Sequence, residues 1–157
     1  MADTNQSIAL TLQHEGGYSD NSADLGGATN MGVEQRDLPG VPIKTLTVAQ
    51  ATAYYQANYV KPWMSEITSQ AVCDKVFDFG VLLGVQTAVR LLQRAMNFAA
   101  SQQDGQFGNE TLAAVNEDGD SLLESYKAVL AAHMRWIVQQ TPSQQVFLDG
   151  WLNRVES

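Results

Sequence analysis

The stretch His14-Glu15-Gly16-Gly17-Tyr18-Ser19-Asp20 joins an amphipathic segment to a loop rich in Gly, Asp and Asn, and it places one carboxylate at the join. Two glycines directly after an apolar-periodic run predict a helix stop. Glycine enters the left-handed region that closes a helix C-terminus without a Cβ clash. Glu15 is then expected as the last helical residue. The negative end of the helix dipole disfavours a second negative charge there, and partial desolvation acts the same way. A carboxylic acid that keeps its proton near neutral pH is what a general acid needs. An exposed Glu ahead of a glycine stop fits the same stretch, and from these residues alone both readings stand.

Upstream, Asp3 with Gln6 reads as a capping box, followed at helical spacing by Ile8, Leu12 and Glu15. Downstream, residues 16–34 hold the turn formers Asp20, Asn21, Asp24, Gly26, Gly27 and Asn30 and few apolar side chains. Residues 35–46, with Pro39-Gly40 and Pro42, continue the irregular path, and a short hairpin within 18–46 is compatible with it. A loop of this length inside a small domain is usually functional or disordered. This one leads straight out of the candidate acid.

The remainder reads as helix after helix. Thr47 and Gln50 form a second capping box, opening a helix to about Tyr59 that Pro62 ends. Tyr54, Tyr55 and Tyr59 along it suit a core better than a ligand platform. Helices follow over 71–83 and 86–100, parted by Gly84 and apolar around much of their girth, which makes them the expected buried centre. A turn at Asp104-Gly105 precedes a short helix over 109–115. The longest helix spans 121–140, and a last one spans 143–155 after Pro142. His133 lies on an apolar stripe with no His, Cys or Asp beside it at helical spacing, so it reads as a hydrogen-bonded packing residue. The fold class expected is all-α: one domain over 1–157 with about seven helices.

Composition narrows the function. The 157 residues carry a formal charge of −8, which excludes nucleic-acid binding, since phosphates require a basic surface. It also offers no attraction to anionic lipid. No run approaches the ~18 apolar residues of a membrane span, so stable membrane insertion is not expected. The N-terminus lacks a basic segment followed by an apolar run, and synthesis in the cytoplasm without a signal peptide is expected. The single Cys73 reads as a small buried hydrophobe. No HExxH, Cys/His cluster, Walker or Rossmann pattern occurs, so neither a metal nor a cofactor is expected. Carboxylates remain: Glu15, Asp20, Asp24 and Glu34 around one loop. Paired carboxylates in a cleft are the machinery of glycoside hydrolysis.

The run Glu15-Gly16-Gly17-Tyr18, then Ala23-Asp24-Leu25-Gly26-Gly27-Ala28-Thr29-Asn30-Met31-Gly32-Val33, resembles glycoside hydrolase family 108, the N-acetylmuramidases of bacteria and their phages. The resemblance continues through Tyr54-Tyr55, Tyr59, Phe77-Asp78-Phe79, Gly84 and Leu92-Gln93. Asp104-Gly105, Gly108 and Thr111-Leu112 resemble that family's C-terminal peptidoglycan-domain signature, and Gly150-Trp151-Leu152-Asn153-Arg154-Val155 closes the match. It divides the chain into a part over 1–95 carrying the catalytic loop and a helical part over 96–157 resembling a peptidoglycan-binding region.

The resemblance implies a lysozyme-like helical fold and cleavage of the β-1,4 bond between N-acetylmuramic acid and N-acetylglucosamine, with Glu15 as the acid. By analogy with phage-type lysozymes, Asp24 positions the attacking water and Thr29 helps hold it. Asp24 equally suits fixing the loop, with Asp20 or Glu34 as the second carboxylate. Tyr18, Asp20, Asn30, Tyr55 and Asp78 are the substrate-binding residues it implies. Peptidoglycan glycan strands would be the partner, the chain a monomer, and a holin-type protein the means of release to the wall if this is a phage endolysin. Two positions depart from the pattern: Val60 where relatives have Trp, and Leu82 where the family has Asn. A lytic transglycosylase, which needs one acid only, and a wall-binding protein without turnover are the alternatives.

Overall fold

The 3.6-residue repeat of apolar side chains dominates this chain, and the computed structural model is accordingly helical. It describes residues 1–20 and 28–157. Among them are seven α-helices: α1 (Thr4–His14), α2 (Val48–Asn58), α3 (Gln70–Leu83), α4 (Val85–Ala95), α5 (Asn109–Asp118), α6 (Leu122–Gln140) and α7 (Leu148–Glu156). Strands β1 (Thr29–Asn30) and β2 (Val33–Glu34) form the hairpin that the long loop allowed. Its two-residue turn, Met31-Gly32, has positive φ at both positions (50° and 74°), the condition for a turn whose twist matches its strands.

The all-α expectation holds, and α3 is the reason the helices assemble. It is buried around most of its circumference, with Val72, Cys73, Val76, Phe77 and Phe79 all in the core, and it packs against α1, α4 and α6. The backbone turns from α3 into α4 at Gly84, whose φ of +89° disfavours any side chain. Opposite, α6 contributes Tyr126, Leu130 and Met134, and the Tyr126 hydroxyl donates to the Ala88 carbonyl at 3.0 Å. Burial without an ionic partner pushes that phenol far above its usual range. Cys73 is free and buried, as expected.

Several local expectations fail for identifiable reasons. Gly16 and Gly17 do not adopt left-handed backbone. α1 ends one residue earlier, because Glu15 itself turns extended (φ −75°, ψ 140°) while its N–H still bonds Thr11. Asp3 caps α1 by accepting from Asn5, but the reciprocal acceptor for its own N–H is Gln70 of α3, not Gln6. A tertiary partner has replaced the local one. α4 stops at Ala95 instead of reaching 100, since Asn97 takes a left-handed φ of 58°, a conformation asparagine tolerates. α7 begins at Leu148 because Pro142–Phe147 coils as a tighter 3-10 segment. The Thr47/Gln50 capping box is present as read.

Candidate active site

Glu15 stands where α1 hands over to the hairpin loop, with its side chain 18% exposed. Its Oε1 accepts from Arg154 Nη2 at 2.9 Å, from a residue 139 positions later on α7. The same guanidinium clasps Asp78 of α3 in two bonds, Nε to Oδ2 at 2.9 Å and Nη2 to Oδ1 at 2.8 Å. His14 Nδ1 lies 3.2 Å from both Asp78 oxygens, and its Nε2 meets the Ser157 hydroxyl at 2.9 Å. Lys75 Nζ donates to the Arg154 carbonyl at 2.9 Å. Three helices are thus pinned to one carboxylate.

The charges of this cluster decide its chemistry. Burial alone would raise the Asp78 carboxyl, but the bonds and charge of Arg154, helped by His14, outweigh it and hold Asp78 below the usual carboxylate range. Burial likewise works against the Arg154 cation, and Asp78 and Glu15 reverse it, so the guanidinium is held more firmly charged. For Lys75 burial wins over the nearby Asp78 charge and pulls its ammonium below the usual value. Asp78 meets Arg154 with two bonds and Glu15 meets it with one.

The other face of Glu15 rests on the hairpin turn. A Cβ at Gly32 would fall against the Tyr55 hydroxyl and 2.7 Å from Glu15 Oε2, so the turn needs glycine for space as well as for φ. Tyr55 donates to the Met31 carbonyl at 2.9 Å, and burial together with the Glu15 charge drives its phenol strongly upward. Met31 N–H bonds the Gly16 carbonyl at 3.0 Å, which fastens the turn to the residue after Glu15.

The implied substrate contacts separate into two groups. Tyr18 is 41% exposed and donates to Asp20 at 3.3 Å, with Lys44 Nζ 5.6 Å above its ring. The backbone bridge between Ser19 and Thr29, 2.8 Å each way, carries both against the hairpin at the solvent edge. Three other residues lie inside the fold instead: Tyr55 is wholly buried, Asp78 is 1% exposed and Asn30 is 7% exposed. Tyr55 braces the turn, Asp78 holds Arg154, and Asn30 donates to the Ile43 carbonyl at 3.0 Å. Of the rival carboxylates, Glu34 pairs with Arg36 at 2.6 Å, and Asp24 lies outside the described residues. Among the described residues no cluster of His, Cys, Asp and Glu could hold a metal, and no helix is long and apolar enough to cross a membrane.

Arg154 is what the sequence reading missed as a site residue. It appeared only as part of the closing Trp-Leu-Asn-Arg-Val run, and its one signal is a lone arginine on an otherwise apolar helix face. Beside it opens a cavity of about 490 Å³, lined by His14, Phe147, Trp151 and Asn153 among others. Phe147 and Trp151 pair there with ring centres 5.8 Å apart. Elsewhere, the Asp104-Gly105 turn is closed by Gln93, which donates to Asp104 Oδ1 and accepts from Gly105 N–H. That turn is a fold device.

The chain resembles known proteins in two adjoining regions. Residues 8–84 match the family model described as Glycosyl hydrolase 108, and residues 87–156 match one described as Predicted Peptidoglycan domain. Residues 8–84 belong to glycosyl hydrolase family 108. With the second region, this makes the chain a peptidoglycan-acting glycoside hydrolase. Among solved structures it is similar to the one titled Structure of Brucella abortus SagA, at 28% identity and a TM-score of 0.70, covering 96% of this chain and 88% of that one. No curated protein sequence matches. The Glu15–Arg154 bond joins the two matched regions.

Proposed function

We propose that this glycoside hydrolase is a muramidase, cleaving the β-1,4 bond between N-acetylmuramic acid and N-acetylglucosamine with Glu15 as general acid. The observation that carries the reading is the position of Glu15: a partly exposed carboxylate at the meeting point of both matched regions, held from one side by Arg154 and from the other by Gly32. In the proposed reaction Glu15 gives its proton to the glycosidic oxygen as the bond to the anomeric carbon breaks. Arg154 then receives the Glu15 carboxylate that forms, which lowers the cost of the transfer where charge develops. Asp24 orients the water that attacks the anomeric carbon and accepts its proton, and Thr29 on β1 helps hold that water. Tyr18 and Asp20 meet the glycan at the solvent edge.

Digestion of purified sacculi by wild type and by Glu15→Gln tests this, with the sugar ends identified by mass spectrometry. Reducing N-acetylmuramic acid ends from wild type alone are expected. Anhydro ends would replace hydrolysis by transglycosylation, and no fragments from a folded wild type would leave a wall-binding protein. The biological setting we propose is lysis from within by a phage or prophage. Expression should lyse cells only when a membrane-permeabilising protein is supplied, and lysis by the enzyme alone would overturn that setting.

A further inference from the structure

Arg90 and Arg94 lie four residues apart on α4, exposed, on the same side of the helix. Two like charges at this spacing repel, and the chain has 17 acidic residues to its 9 Lys and Arg, so a compensating carboxylate would be easy to supply. None is within ion-pair distance of either among the described residues. Arg94 Nε donates only to the Gln103 amide at 3.2 Å, and Arg90 acts on Asp104 from a distance while Asp104 is bonded to Gln93 and Gln106. Facing them across a groove of about 490 Å³ is α6, with Val129, His133 and Trp136. Trp136 is 52% exposed, and its indole stacks on the His133 ring at 5.5 Å. The hydrogen-bonded packing role read for His133 is not what the structure shows, since it has no hydrogen-bond partner among the described residues. Burial and the nearby Arg94 hold the imidazole below its ordinary value, so at neutral pH the stack is an uncharged platform.

We propose that this α4–α6 groove is a second wall-binding site, separate from Glu15, which takes the carboxylate-bearing stem peptide of peptidoglycan. Guanidinium groups match carboxylates in geometry as well as charge, and a Trp–His stack offers a flat apolar surface to the adjoining chain. The basic island sits on an otherwise acidic protein, so it selects the anionic part of the polymer over its neutral sugars. The groove lies wholly within the residues that match the peptidoglycan domain. The proposal rests on the peptidoglycan reading but not on turnover.

The test is co-sedimentation of the full chain with intact sacculi and with sacculi stripped of stem peptides by an amidase, using wild type, Arg90→Gln/Arg94→Gln and Trp136→Ala. Sugar-end release from peptide-free glycan is measured in parallel. Binding of wild type to intact sacculi should exceed that of the double variant at least tenfold, stripping should remove the difference, and release from bare glycan should be equal. Equal binding by all variants overturns the site. A loss that persists on stripped sacculi overturns the peptide as ligand in favour of sugar, and a wild-type dimer that the variants dissolve overturns it in favour of a second copy. Peptide-dependent binding without any sugar release would keep this site while refuting the muramidase.

Discussion

In the Glu15 cluster one guanidinium is 11% exposed and met by two carboxylates, whereas in the α4–α6 groove two guanidinia stand exposed with none paired to them among the described residues. The first arrangement uses charge to fix geometry. Taking Arg154 out of water is tolerable only because Asp78 and Glu15 meet it, and a cluster so satisfied has one preferred arrangement. The second leaves charge open, at little folding cost because water solvates it, and keeps it available to a ligand. Buried and balanced groups hold a shape here; exposed and unbalanced ones offer a contact.

That contrast can be broken most decisively at Asp78. Asp78→Ala strands Arg154 in the interior with Glu15 as its one partner and should cost about 3–5 kcal/mol in urea unfolding. A loss below about 1 kcal/mol would mean that the cluster is not structurally saturated. Arg154→Lys keeps the charge but forfeits the fork, so the fold should survive while sacculus digestion falls about a hundredfold through misplacement of Glu15. Undiminished digestion would detach α7 from the reaction. Gly32→Ala must hold a side chain at φ 74° against Tyr55 and Glu15, and it should lose about 1–3 kcal/mol in thermal melts along with activity.

Acid sharpens the same point. The folded Asp78 carboxyl lies below its unfolded value of about 3.9. Its contribution is therefore complete above that pH and is lost as pH falls through the lower folded value. Melts recorded below about pH 4 should show wild type losing stability faster than Asp78→Asn. Parallel curves would assign the acid sensitivity elsewhere. At the small end, Trp136→Ala in the groove should shift unfolding by no more than about 0.5 kcal/mol. A larger shift would make the groove part of the core.

Most of the fold was legible because its signals are local. The Thr47/Gln50 box, Gly84 between two apolar helices and Pro142 after α6 each act within a few residues, and each was read correctly. Errors arose where a distant partner replaced a near one, as when Gln70 took the role expected of Gln6. The site shows the same limit. Glu15 could be picked out from its place between a helix and a glycine-rich loop, but nothing adjacent to it announces Arg154. Tyr55 and Asp78 carry the right chemistry for sugar contact and lie close to Glu15. Only the structure reveals that both are buried, with Tyr55 bonded to the hairpin turn and Asp78 to Arg154.

The 139 residues between Glu15 and Arg154 also set an order in time. A ribosome delivers Glu15 and the hairpin first, then α3 with Asp78, and α7 later than both. Until then the glutamate has its loop and its helix but not its guanidinium. A product broken off before residue 154 would thus carry the first matched region intact and still lack the guanidinium that meets Glu15 and Asp78.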